Sequence, residues 1–171
     1  MGEESLKAIK TSHHTTSAIL TLSTGAGILH TKCEQVKEIT PAVHALAQRL
    51  EDYLKTHQHD DPRPIGISAP QLGKSICMFS YVTDMDDNIL TVINPELVYE
   101  KKKKHFVVET CLSIPGQKFT LKRGKIVKIR GMFIDGTHCS LKGHGLLAQV
   151  FLHELNHLDG ITIDTIRGRT V

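Results

Sequence analysis

Gly145-Leu146-Leu147-Ala148-Gln149-Val150-Phe151-Leu152-His153-Glu154-Leu155-Asn156-His157-Leu158-Asp159-Gly160 is the stretch on which the reading of this chain turns. It is apolar on most faces and meets a stop at Gly160, the pattern of a helix buried on nearly all sides. Two histidines and a glutamate in such a helix are costly unless something satisfies them. The spacing of four between His153 and His157 puts both imidazoles on one helix face, close enough to share a metal ion. Glu154, one residue after the first imidazole, is placed to act as a general base on an attacking water.

The third ligand decides the class of such a site. A metzincin carries HExxHxxGxxH; Gly160 is in place, but Ile163 stands where the third histidine belongs. Thermolysin-like sites take a glutamate downstream. No glutamate follows Glu154, only Asp159 and Asp164, and Asp164 lies just past the helix stop. An upstream ligand is the better expectation, and Cys111 in Glu109-Thr110-Cys111-Leu112-Ser113-Ile114-Pro115-Gly116 suits a borderline-soft divalent ion. A lone cysteine is also an ordinary small core residue, so spacing alone leaves Cys111 and Asp164 both open.

Outward from the helix, residues 75–82 (SICMFSYV), 89–93 (ILTVI), 105–109 (HFVVE) and 125–134 (KIVKIRGMFI) read as short strands, with turns at DMDDN and IDGT. Farther upstream, Thr40 caps and Pro41 opens a helix whose Val43, Leu46, Ala47, Leu50, Tyr53 and Leu54 recur at spacings of three and four, ended by THQHDDPRP. The expected class is α+β, with antiparallel or mixed sheets packed around a central buried helix carrying HExxH. Residues 1–24, rich in Ser and Thr, read as a loosely held arm, and residues 25–171 as one catalytic domain.

A length of 171 residues suits one domain, and 40% hydrophobic with 23% charged residues excludes a wholly disordered or collagen-like chain. A net charge of +3 does not by itself call for nucleic acid, and no DNA partner is expected. No apolar run approaches the ~20 residues that span a bilayer, so no membrane partner is expected either. The four cysteines form no CxxC pair and no disulfide framework, which fits a reducing interior. Lys101–Lys104 and the cations Lys118, Lys122, Arg123, Lys125, Lys128 and Arg130 read as a solvated hairpin tip and edge-strand lysines. A weak ribosome association is the alternative use of that basic surface.

Three segments in order resemble the peptide deformylase family: Ile65-Gly66-Ile67-Ser68-Ala69-Pro70-Gln71, Glu109-Thr110-Cys111-Leu112-Ser113, and His153 to His157. The resemblance implies that Cys111, His153 and His157 hold one divalent metal, natively Fe2+ (iron), with Zn2+, Ni2+ or Co2+ as substitutes. It implies Glu154 as the base, Gln71 and the Leu112 N–H as oxyanion donors, and Ile65, Gly66, Thr110, Leu146 and Gln149 as substrate-binding residues. The substrate would be a formyl-methionyl nascent peptide, deformylated during translation in a cytoplasm, bacterial or organellar. Four positions depart from the family pattern. Thr110 replaces a glycine before the cysteine, Pro64 a glycine of the first motif, Lys118 a common arginine, and Gln149 an apolar residue of the methionine pocket. They leave the chemistry intact and bear on substrate choice, so the alternatives are a different N-formyl substrate or a non-catalytic metal-holding or RNA-binding module.

Overall fold

The structure is a computed structural model and describes residues 18–83, 88–166 and 169–170. Among the described residues three α-helices, α1 (Leu22–Leu29), α2 (Pro41–Thr56) and α3 (Leu146–Leu158), accompany eight strands. In chain order these are β1 (Gly66–Ser68), β2 (Met78–Val82), β3 (Ile89–Glu100), β4 (Lys104–Cys111), β5 (Ile114–Gly124), β6 (Ile126–Met132), β7 (His138–His144) and β8 (Arg169–Thr170). One sheet runs β1-β2-β3-β6-β7 and a smaller one β4-β5-β8, every neighbouring pair antiparallel. This is the expected α+β class.

Helix α3 packs against strands of both sheets. Its Ala148, Phe151 and Leu158 are buried with Phe79, Tyr81, Val127 and Ile129 of the larger sheet. Phe151 meets Tyr81 edge-on at 5.1 Å between ring centroids, which fixes the helix against β2 as well as burying area. Helix α2 covers the same sheet with Val43, Leu46, Ala47, Leu50 and Leu54, beside Ile67, Met78 and Ile93. Its start follows the expected chemistry: the Thr40 hydroxyl accepts from the Val43 N–H at 3.4 Å, and Pro41 sits where an N–H would lack a partner.

Several elements differ from the sequence expectation, each for a physical reason. β3 continues past Ile93 through Pro95, because a register shift between Ile93 and Glu96 takes the proline out of the ladder. Asn94 there has φ 50, and its side-chain amide bonds both the N–H and the carbonyl of Val36 at 2.8 Å, pinning the α1–α2 link to the sheet. Lys101–Lys104 is not the tip of a hairpin. It crosses from one sheet to the other, since β3 pairs with β6 while β4 pairs with β5. Of the expected arm, residues 1–17 lie outside the described residues. Residues 20–22 at the end of that arm are tied to the rest, the Leu20 N–H bonding the Gln71 carbonyl at 2.8 Å and the Leu22 N–H the Ser113 carbonyl at 3.0 Å. Most of the DMDDN turn also lies outside the described residues.

Gly160 ends α3 with φ 73, and a Cβ there would stand 2.8 Å from the Thr31 backbone carbon. Gly160→Ala is therefore expected to cost at least about 2 kcal/mol, from the left-handed backbone plus the clash. A lowered urea midpoint at unchanged slope measures it.

Candidate metal centre

α3 presents Leu146, Gln149, Val150 and His153 on one face, and all four line a cavity of about 650 Å³ with Glu154. The opposite wall comes from β4 and its turn, Val108 to Leu112, and from Pro64, Ile65, Gly66 and Gln71 around β1. Lys118 sits at the cavity as well. The sequence-expected residues thus converge on one space. The ligand atoms of Cys111 and His153, which line it, and of the buried His157 all lie within 4.8 Å of one another, and the Cys111 Sγ stands 3.2 Å from the His157 Nε2.

Of the two downstream aspartates, neither belongs to this group among the described residues. Asp159 pairs with Lys32 at 3.1 Å, and Asp164 is exposed. One thiolate and two imidazoles at this separation suit a divalent transition metal. The buried His157 Nδ1 has no hydrogen-bond partner among the described residues, and burial and the neighbouring His153 push that ring well below its ordinary basicity. A neutral, weakly protonated imidazole is the form that binds a metal.

His153 is oriented from behind. Its Nδ1 donates to the Glu109 Oε2 at 3.2 Å, which turns Nε2 toward the cavity. Glu109 in turn accepts two bonds from Arg123, at 2.8 and 2.9 Å, and Arg123 reaches the Asn156 Oδ1 at 2.7 Å. Burial would raise the Glu109 carboxyl, but the hydrogen bonds from His153 and Arg123 hold it at about 2. Burial would likewise lower the His153 imidazole, yet bonding to Cys111 and Glu109 lifts it to about 10.

Glu154 is 3% exposed, and burial raises its carboxyl to about 7. Its Oε2 has no hydrogen-bond partner among the described residues. Gly66 leaves room for it, since a Cβ at that position would fall 2.6 Å from the Glu154 Oε1 and 2.9 Å from the Val150 Cγ1. Gln71 is held by its oxygen end, with Oε1 accepting from the Ser68 N–H at 2.9 Å and the Ser68 hydroxyl at 3.1 Å. Its Nε2 therefore points the other way and donates to the Ser113 hydroxyl at 3.3 Å.

Sequence reasoning passed over Glu109 as a positioning group, and it assigned Arg123 to a solvated surface although that side chain is buried. The signal was the alternation Phe119, Leu121, Arg123 on one face of β5, whose first two members are core residues. Arg130 is also less free than a basic surface requires, bonding Glu96 at 2.6 and 2.8 Å.

Residues 18–170 match the sequence pattern of the polypeptide deformylase family. A peptide deformylase of Dictyoglomus thermophilum is 34% identical over 139 residues, 81% of this chain and 86% of that protein. Another, from Thermomicrobium roseum, is 34% identical over 150 residues, 83% of this chain and 82% of that protein. The crystal structure of the Thermotoga maritima peptide deformylase superposes with a TM-score of 0.77 at 25% identity, over 90% of this chain and 99% of that one.

Replacing Glu109 by glutamine removes the charge that orients His153 and answers Arg123. The variant is expected to bind Zn2+ or Ni2+ about 10–100-fold more weakly, read by competition with a chromophoric chelator.

Proposed function

The chain belongs to the polypeptide deformylase family, and from that premise we propose how its residues divide the work. The protein is a metal-dependent hydrolase that removes the N-formyl group from nascent peptides and releases formate. The observation that supports the residue-level reading is the meeting of Cys111, His153 and His157, with Cys111, His153 and Glu154 all lining one cavity. A divalent ion held by those three side chains supplies, when bound, Lewis acidity toward water and the formyl oxygen. Glu154 takes the proton of the attacking water and hands it to the departing amine as the formyl C–N bond breaks. Its raised carboxyl suits both halves of that exchange near neutral pH. Gln71 Nε2 and the Leu112 N–H serve as the donors where negative charge develops on the formyl oxygen. Because Ser68 anchors the other end of the Gln71 amide, no reorganisation is needed when charge appears.

Ile65, Gly66, Thr110, Leu146 and Gln149 bind the substrate, the methionine side chain lying along the α3 face. Fe2+ is the proposed native ion, and the same donor set accepts Zn2+, Ni2+ or Co2+. Exposed Lys101, Lys102, Lys103, Lys125 and Lys128 support a weak, salt-sensitive attraction to the ribosome, where the substrate emerges. The proposed location is the cytoplasm; among the described residues no helix is long and apolar enough to cross a membrane. Residues 25–171 are proposed to act as one catalytic domain, with the tie from residues 20–22 as part of it.

A second reading, hydrolysis of a more polar formylated amine, is favoured by one observation. Gln149 lines the cavity half-buried on the same face as His153. Formate release from formyl-Met-Ala by protein purified without oxygen and loaded with Fe2+ or Ni2+ tests the main reading. Glu154→Ala is expected to keep one metal per chain and lose at least about 100-fold in kcat. Gln149→Ile is expected to lower KM for formyl-Met peptides severalfold, by removing a half-buried amide from an apolar contact. An unchanged KM places the methionine side chain elsewhere.

A further inference from the structure

The outward face of the β4–β5 hairpin continues the cavity as a shelf. Alternation along β4 turns Val107 and Glu109 inward and Phe106, Val108 and Thr110 outward. Phe106 is 71% exposed and Val108 58%, although both are large apolar side chains. Cross-strand register sets Phe106 against Lys122 and Val108 against Thr120. The Lys122 ammonium lies 5.0 Å from the Phe106 ring centroid, a cation–π contact that restrains the ring where it stands. Val108, Thr110 and Lys118 also line the cavity, so the shelf begins at its mouth and leads away without a break.

Single exposed apolar residues are ordinary on a protein surface. Two on the same strand face, running from the mouth of a peptide-processing site, have a more specific use. From Thr110 to Phe106 the strand covers roughly 13 Å, which an extended peptide spans in about four residues. We infer that this shelf binds the residues that follow the formylated methionine, favouring apolar or aromatic side chains over Val108 and Phe106 at the third to fifth positions. Lys118 and Lys122 border the same path and disfavour basic side chains there. The inference rests on the deformylase reading and extends it to substrate choice beyond the first residue.

The test compares three substrates of the metal-loaded enzyme: formyl-Met-Ala, formyl-Met-Ala-Ala-Leu-Leu and formyl-Met-Ala-Ser-Ser-Ser. The leucine pentapeptide is expected to exceed the serine pentapeptide by about three- to tenfold in kcat/KM, through KM, as suits partial burial of two leucines. In Phe106→Ser that preference is expected to fall toward unity, while formyl-Met-Ala, too short to reach the shelf, is hydrolysed as before. The substituted side chain is mostly in solvent, so the variant folds like the parent. Equal rates for the two pentapeptides, with formyl-Met-Ala still hydrolysed, overturn the shelf and leave the deformylase reading standing. A leucine preference that survives Phe106→Ser also overturns it. No formate from any of the three overturns the deformylase reading and this inference together.

Discussion

The carboxylate of Glu109 lies between a guanidinium and an imidazole, and the catalytic arrangement depends on that contact. It joins β4, β5 and α3, a helix and two strands between which no backbone hydrogen bond runs among the described residues. A buried ion pair is seldom a net source of stability, because removing two charges from water costs several kcal/mol per ion. Here the geometry recovers much of that cost. Arg123 donates twice to Glu109 and once to Asn156, and the remaining demand of Glu109 is met by His153. The network therefore sets the rotation of the His153 ring, and with it the direction of the nitrogen offered to a metal. Asn156, one of the two variable positions inside HExxH, holds the guanidinium from the helix side.

A second constraint is steric. In its proposed role Glu154 must stay buried yet exchange a proton, so the wall opposite it has to approach closely without filling its space. Gly66 meets both needs, since any side chain there would occupy the space of the carboxylate. The loops that carry the proposed oxyanion donors are tied to each other rather than left to find their places. Gln71 and Ser113 touch through their side chains, and the segment at Leu20 and Leu22 bonds the carbonyls of both. Two loops far apart in the chain are thereby held as one unit, which lowers the reorganisation required when charge develops on the substrate.

Much of this was legible beforehand, for reasons that can be named. α2 announced itself through Thr40, Pro41 and an apolar stripe, all local signals. The face of α3 that holds both histidines followed from helical periodicity alone. β5, β7 and β1 were harder to see, because lysines, glycines and a histidine interrupt their alternation, and their strand character comes from pairing partners. β3 looked shorter than it is, since a proline normally ends a ladder and only the neighbouring register shift accommodates it. Arg123 looked solvated because charge usually is, and only the position of Glu109 across the hairpin makes it an interior residue.

The chemistry of the donors, a thiol, two imidazoles and a carboxylate, belongs to the residues and so to the sequence. Their separation along the helix is likewise a property of local geometry, identical wherever those five residues form a helix. The third ligand was different. Spacing left Cys111 and Asp164 both open, because no local rule relates residue 111 to residue 157. Only the packing of α3 between the two sheets brings the Cys111 sulfur to within 3.2 Å of the His157 ring while leaving Asp164 in solvent. Contacts between distant segments depend on how whole elements bury their apolar faces, a property of the assembled core that no single stretch of the chain contains.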